Sequence, residues 1–283
     1  MPDISHTPTR SWLFTPAIQP ERFIKAVESA ADISIIDLED SVTPNDKAQA
    51  RKIAMQFLSS RPNSSLKIAL RINGMNTHAG IEDLHMLLEC RFFPDYIILP
   101  KTESAAHLQI VDSLIMMAGS DTRLIGIIGI IESVVGLNAV ESIADATPRL
   151  CGLMFGAADM AADIGATPAW EPLALARARI VAACAMKGLL AIDAPFFDIG
   201  DFSGLKEETL QALSFGFSAK SAIHPAQISV INTAFTPTTA EINHARAVLT
   251  ENAKGVGIVS GMMIDAAVAR QARRLLARAG IFS

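Results

Sequence analysis

Eight short runs of apolar, largely β-branched residues recur along the chain, and each is followed by a segment with helical spacing. The runs are SWLFTP (11–16), ISIIDLE (33–39), KIALRIN (67–73), YIILP (96–100), RLIGIIGII (123–131), LCGLMFG (150–156), LLAIDAP (189–195) and AKSAIHP (219–225). Between them, stretches such as PERFIKAVESAA and SAAHLQIVDSLIMMAG repeat apolar residues at three- and four-residue intervals, the spacing of one helix face. Strands that are apolar almost throughout belong to a parallel sheet covered on both faces. Eight such units in 283 residues predict an α/β fold of the closed (β/α)8 TIM-barrel type. An open doubly wound sheet would carry a glycine fingerprint after an early strand, and neither SWLFTP nor ISIIDLE is followed by one.

Two more helical stretches, near 238–253 and 262–279, follow the eighth unit, joined by KGVGIVSG, which reads as a flexible turn. A barrel does not need them to close. The chain therefore divides into a catalytic barrel over 1–236 and a helical extension over 237–283.

A net charge of −5, with dispersed Lys and Arg, gives no general attraction to nucleic acid or an anionic membrane. The apolar runs are too short to span a bilayer, and the first ten residues lack the apolar core of a signal peptide. Cys90, Cys151 and Cys184 are far apart and have no CxxC spacing, which fits small buried side chains in a reducing cytoplasm.

Charged residues gather at the ends of the apolar runs, where barrel enzymes build their sites. IIDLED ends in Asp37, Glu39 and Asp40, ALRIN carries Arg71 and Asn73, and ILPK ends in Lys101. GIIES places Glu132 after the fifth run, and MFGAAD places Asp159 after the sixth. Each alone could be a cap or a local ion pair, but together five acids and two bases would converge on one mouth. Carboxylates held together in a partly dry pocket lose several kcal/mol of hydration each, roughly, and a shared cation relieves them. A few hard oxygen ligands with room for water suit Mg²⁺, with Glu132 and Asp159 as the metal pair and Glu39 and Asp40 behind them holding its waters. Arg71 offers a planar fork for a substrate carboxylate, so the site suits an anionic acid chelating through a carboxylate and a neighbouring oxygen, with Glu132 beside it.

Three other signals carry less. His78, Glu82 and His85 share a helical face without HExxH spacing and read as solvated. Asp163 reads as a capping or supporting acid, and His224 either as a structural histidine or as a contact for a thioester arm. Arg270, Arg274 and Arg278 fit a solvated or subunit-facing helix side whose cations complement the helix dipole.

The segments SWLFTP, IIDLEDSV, LRIN, ILPK, IIES, FGAADMAADIG, AIHPAQI and GMMIDAAVARQARRLLARA together resemble the citrate lyase β-subunit-like proteins, in that family's order over nearly the whole chain. These belong to the HpcH/HpaI-type superfamily of magnesium-dependent (β/α)8 aldolases. The resemblance implies a carbon–carbon lyase acting on 3-hydroxyacyl-CoA thioesters by retro-Claisen cleavage, with citramalyl-CoA, yielding pyruvate and acetyl-CoA, as the expected substrate. A citryl-thioester lyase, a malyl- or β-methylmalyl-CoA lyase and an inactive acyl-CoA-binding scaffold are the alternatives. It also implies that Glu132 and Asp159 hold Mg²⁺ and that Arg71 binds the substrate carboxylate. Asp265 is implied as the catalytic acid on a C-terminal lid that reaches into a neighbouring subunit of a homo-oligomer, a trimer or hexamer. A chain ending at Ser283 lacks the longer extension of many malyl-CoA lyases, which favours the compact branch of the family.

Overall fold

The computed structural model describes residues 9–60, 66–89, 92–119, 125–255 and 257–281. Cys90 and the first two residues of the fifth apolar run lie outside these. Eight strands close into a parallel barrel in sequence order: β1 (Ser11–Pro16), β2 (Ile33–Asp37), β3 (Lys67–Arg71), β4 (Tyr96–Leu99), β5 (Gly126–Ile131), β6 (Leu150–Phe155), β7 (Leu190–Asp193) and β8 (Ala219–Ala222). Closure is direct, with Trp12 of β1 in register with Ile33 of β2 on one side and Ser221 of β8 on the other.

Helices fill the connections: α1 (Glu21–Glu28), α2 (Lys47–Ser59), α3 (His78–Glu89), α4 (Ala105–Met117), α5 (Val134–Asn138), α6 (Val140–Ala144), α7 (Ala157–Ile164), α8 (Trp170–Lys187), α9 (Phe202–Phe215) and α10 (Ile228–Phe235). Both faces of the strands are buried, which is why their sequences are apolar without alternation. One set, including Ile33, Ile35, Ile98, Ile128, Ile130 and Met154, fills the barrel interior. The intervening set, including Ile36, Leu70, Ile97, Ile127, Leu153 and Phe155, packs under the helices. Burying each such side chain contributes roughly 1.5–3 kcal/mol.

This two-residue period decides which polar residues reach the mouth. Residues two further along a strand point the same way. Asp37 therefore follows Ile33 and Ile35 inward, Arg71 follows Ala69, and Glu132 follows Ile128 and Ile130.

The C-terminal segment has its own apolar core. Helices α11 (Thr239–Asn252) and α12 (Ala266–Arg278) pack through Ala245, Val248, Ile264, Ala272 and Leu276. Thr238 and Glu241 form a reciprocal cap at the start of α11. KGVGIVSG is not a flexible turn: β9 (Gly257–Val259) pairs antiparallel with β10 (Met262–Ile264). The two residues between them, Ser260 and Gly261, have φ of 50° and 80°. Positive φ at both positions is what a tight hairpin turn requires, and only the second is a glycine. The hairpin takes up the first three residues of the stretch expected to be helical.

Candidate active site

At the C-terminal ends of the strands lies a cavity of about 350 Å³ whose lining includes Asp37, Asp40, Arg71, Glu132 and Asp159. Glu39 and Lys101 join this group from the side, Lys101 Nζ standing 3.7 Å from Glu39 Oε1. The five acids and two bases expected from the strand ends thus meet at one mouth.

Arg71 is the hub of one half. Its Nε and Nη2 donate to Asp37 Oδ1 and Oδ2 at 2.6 and 2.7 Å, a bidentate pair buried at the end of β2. Its Nη1 faces Glu39 Oε2 at 2.9 Å and Asp40 Oδ2 at 3.3 Å, and its plane covers the Phe14 ring at 4.7 Å. Burial opposes the charge on Asp37, but Arg71 and the backbone N–H of Glu39 outweigh it and hold the carboxyl below the ordinary range. In the same way, the surrounding carboxylates outweigh burial and raise the pKa of Arg71.

The other half is short of positive charge. Glu132 is 5% exposed, and its Oε1 accepts from the Lys101 backbone N–H at 2.7 Å. Burial, with the nearby charges of Glu39 and Asp159, pushes its pKa up to about 8. Glu39 is pushed to about 7, again by burial first, with Arg71 pulling against it and Asp40 reinforcing it. The pKa of Lys101 is raised as well, which for a base favours the charged form: Glu132, Glu39 and Asp159 together outweigh its own desolvation.

Oxygen donors short of positive charge fit a bound cation. Glu39 Oε2 is buried and has no aligned hydrogen-bond donor, despite its proximity to Arg71. Gly156 opens the space beside Glu132, since a Cβ there would lie 2.6 Å from Glu132 Oε2. Asp159, in the first turn of α7, is exposed to the same cavity. Among the described residues no group of three His, Cys, Asp or Glu side chains is assembled as a cage. Two carboxylates with open positions fit Mg²⁺, which keeps several waters and takes further oxygens from substrate.

Asp265 does not line the cavity of its own chain. It is exposed and caps α12, accepting from the N–H groups of Ala267 and Val268 at 2.8 and 2.9 Å, which lower its pKa. Asn73 is also diverted from the mouth: its amide and backbone N–H groups bind Asp83 and the Leu38 carbonyl, fastening α3 to the rim. Asp163 accepts from the Val134 N–H at 2.6 Å and so caps α5. His224 Nδ1 accepts from the Ala226 N–H. On α3, His78 and His85 are exposed beside Glu82 and Glu89.

Two features were not expected from the strand ends. Phe14, inward-facing on β1, supports Arg71. Behind the rim, Asp193 Oδ2 accepts from Lys220 Nζ at 2.7 Å and its Oδ1 from Arg177 Nε at 2.9 Å, all three being buried. Lys220 also donates to the Ala194 carbonyl, just before the cavity residue Pro195. Arg177 lies between the Phe155 and Trp170 rings at 4.9 and 4.2 Å. The period-2 pattern shows why: Asp193 and Lys220 follow the interior residues Ile192 and Ala219 and so face outward.

A second cavity of about 210 Å³ adjoins the first, sharing Phe14 and Ile223, and is lined by Arg22, Lys25 and His224 among others.

Residues 10–225 match the HpcH/HpaI aldolase/citrate lyase family profile. The chain is 36% identical over 299 residues to the L-malyl-CoA/beta-methylmalyl-CoA lyase of Rhodobacter capsulatus, covering 95% of this chain and 94% of that protein. It is also 36% identical over 278 residues to a citrate lyase subunit beta-like protein of Mycobacterium tuberculosis, covering 95% of each. The crystal structure of RipC from Yersinia pestis shares 64% identity and a TM-score of 0.73, over 83% of this chain and 98% of that one. CitE from M. tuberculosis, in complex with magnesium, acetoacetate and coenzyme A, superimposes with a TM-score of 0.79 at 33% identity, over 98% of this chain and 99% of that one. Matches over nearly the full length of malyl-CoA lyases mean that chain length does not separate the family's branches here. The chain belongs to the HpcH/HpaI aldolase/citrate lyase family of carbon–carbon lyases.

Proposed function

We propose that this protein is a Mg²⁺-dependent lyase that cleaves a 3-hydroxyacyl-CoA thioester by retro-Claisen chemistry, with citramalyl-CoA as its substrate. The observation that carries the reading is that Glu132 and Asp159 line one cavity together with Arg71, whose guanidinium is held by Asp37. Glu132 and Asp159 would hold the ion, with Glu39 and Asp40 ordering water around it. Bound there, Mg²⁺ supplies Lewis acidity toward the substrate's hydroxyl and carboxylate oxygens.

The residues of the chain do the rest. Asp37 fixes the guanidinium plane of Arg71, so that its Nη1 edge meets the substrate carboxylate at a set angle. The second cavity, with Arg22 and Lys25, suits an anionic arm leaving the first, as the phosphates of coenzyme A would. In cleavage the hydroxyl proton passes to water held by Glu39 and Asp40, the C–C bond breaks, and its electron pair moves into the thioester enolate. A proton delivered to the enolate carbon completes acetyl-CoA, and the oxygen left behind becomes the keto group of pyruvate.

Asp265 of a neighbouring copy is the proposed donor of that proton, with the 237–283 unit acting as a lid in a homo-oligomer. In the isolated chain its caps keep it ionised; entry into a mouth already rich in carboxylates would raise its pKa and let it carry a proton. The full-length match to malyl-CoA lyases supports malyl- or β-methylmalyl-CoA as a second reading. The test is to incubate purified protein and Mg²⁺ with citramalyl-, malyl-, β-methylmalyl- and citryl-CoA and measure the thioester released. Cleavage of citramalyl-CoA above the others is expected; none with any of them overturns the proposal.

A further inference from the structure

Beneath the polar rim the cavity is apolar. Ile130 and Met154 are register partners on β5 and β6, each 2% exposed, and both face the barrel interior. They lie two residues before Glu132 and Gly156, hence about 6.6 Å lower on the same face. Gly156, just past β6, carries no side chain to screen Met154 from the space beside Glu132. Phe14 closes one side and Pro195 and Phe197 another.

We propose that the Ile130–Met154 pair is the specificity floor of this lyase: it receives a methyl on the hydroxyl-bearing carbon and refuses a carboxymethyl. The inference rests on the function proposed above. A substrate bound through its hydroxyl and carboxylate beside Glu132 holds that carbon just above the floor. Its remaining substituent is hydrogen in a malyl group, methyl in a citramalyl group and carboxymethyl in a citryl group. Hydrogen leaves a methyl-sized gap over Met154. Methyl fills it against two apolar side chains.

Carboxymethyl brings a second free carboxylate down to a floor without a donor. The cations of the mouth are already engaged. Arg71 serves Asp37, Glu39 and Asp40, and Lys101 stands among Glu39, Glu132 and Asp159. Five carboxylates around two cations leave the citryl group no counter-charge, and a divalent ion restores only part of the deficit. A buried anion without a partner is strongly disfavoured. Selection by a single methyl is weaker, roughly 10–200-fold in a well-formed pocket.

The 2-oxo acid products read the floor separately from the cleavage step. Glyoxylate, pyruvate, 2-oxobutanoate and oxaloacetate carry hydrogen, methyl, ethyl and carboxymethyl at the same carbon. Their binding to the Mg²⁺-loaded protein is measured by calorimetry, beside cleavage of malyl-, citramalyl- and citryl-CoA. The wild type should bind pyruvate at least tenfold more tightly than glyoxylate and oxaloacetate. Met154→Ala should move preference at least tenfold toward 2-oxobutanoate relative to pyruvate. Met154→Phe should move it at least tenfold toward glyoxylate, and Ile130→Val, which removes one methyl, should shift it toward 2-oxobutanoate in a chain that still folds.

An unchanged order of affinity in folded variants, or oxaloacetate binding as tightly as pyruvate, overturns the floor. Failure to cleave every thioester while the four acids still bind in the expected order overturns the lyase reading and leaves the floor standing.

Discussion

Gly156 lies so close to Glu132 that a Cβ at position 156 would sit 2.5 Å from Glu132 Cβ and 2.6 Å from its Oε2. The glycine backbone has φ −100° and ψ 86°, so its freedom from a side chain matters here, not access to left-handed conformations. The absence of one atom just past β6 leaves room for the carboxylate just past β5. Gly156→Ala should turn Glu132 away from the cavity and weaken Mn²⁺ or Mg²⁺ binding by about 10–100-fold, the usual effect of disturbing a group that orients a ligand. Calorimetric metal titration checks this; wild-type affinity in the alanine variant would contradict it.

The Asp193–Lys220–Arg177 network should matter for stability. Lys220 is fully buried and bonded to Asp193, Glu208 and the Ala194 carbonyl. Asp193 is buried too and stays ionised below the ordinary range because Lys220 and Arg177 outweigh its desolvation. Lys220→Met leaves that charge short of a partner and should cost about 3–5 kcal/mol. Urea unfolding measures the change, and a loss below about 1 kcal/mol would mean that Arg177 alone satisfies Asp193.

Stability without metal should fall as pH rises. Glu132 and Glu39 have folded pKa values near 8 and 7, raised first by burial, against an ordinary carboxylate value of 4.5. Between about pH 4.5 and 8 the folded chain therefore holds protons that the unfolded chain has released, so the unfolded state gains on the folded one. Asp37 and Asp193, with lowered pKa values, act in the opposite sense but only in acid, near and below their ordinary 3.8. Unfolding free energies from urea titrations at pH 5 to 8 should decline by an amount on the order of a few kcal/mol without metal. Saturating Mg²⁺ should abolish the decline, because the ion binds the ionised forms, and Glu132→Gln should flatten it. A metal-free profile that rises over this range would show that the two carboxylates are not strained in this way.

Asp265 offers a test of subunit sharing. Asp265→Asn should bind metal and 2-oxo acid normally while cleaving at least 100-fold more slowly, within the range general acid–base catalysis contributes. Mixing it with the inactive Arg71→Ala chain should restore part of the activity, since some mouths would receive both an intact Arg71 and an intact Asp265. Verified mixed oligomers with no recovery would place the acid elsewhere.

Much of this was legible in the sequence because a parallel barrel buries both strand faces. Any charge that interrupts an apolar run then marks a strand end, and Asp37, Arg71, Glu132 and Asp159 all stood out for that reason. The same rule cannot tell which way a residue points: Asp193 ends β7 and Lys220 lies near the start of β8, both face the helices, and only their register against Ile192 and Ala219 separates them from the mouth. Asn73 looked like a site residue until its amide found Asp83, a long-range contact that no local pattern carries. The β9–β10 hairpin was hidden because Ser260 takes a positive φ, where sequence preference favours glycine or asparagine. Asp265 stands exposed as the cap of α12, and its action in a neighbouring copy is the proposal that the mixing experiment tests.

Manganese titration of the wild type, Glu132→Gln and Asp159→Asn tests most directly whether these two side chains share one divalent ion. One site per chain is expected in the wild type, with affinity reduced at least tenfold in each variant and the fold intact by circular dichroism. Undiminished affinity in either variant would remove that carboxylate from the metal site and contradict the account.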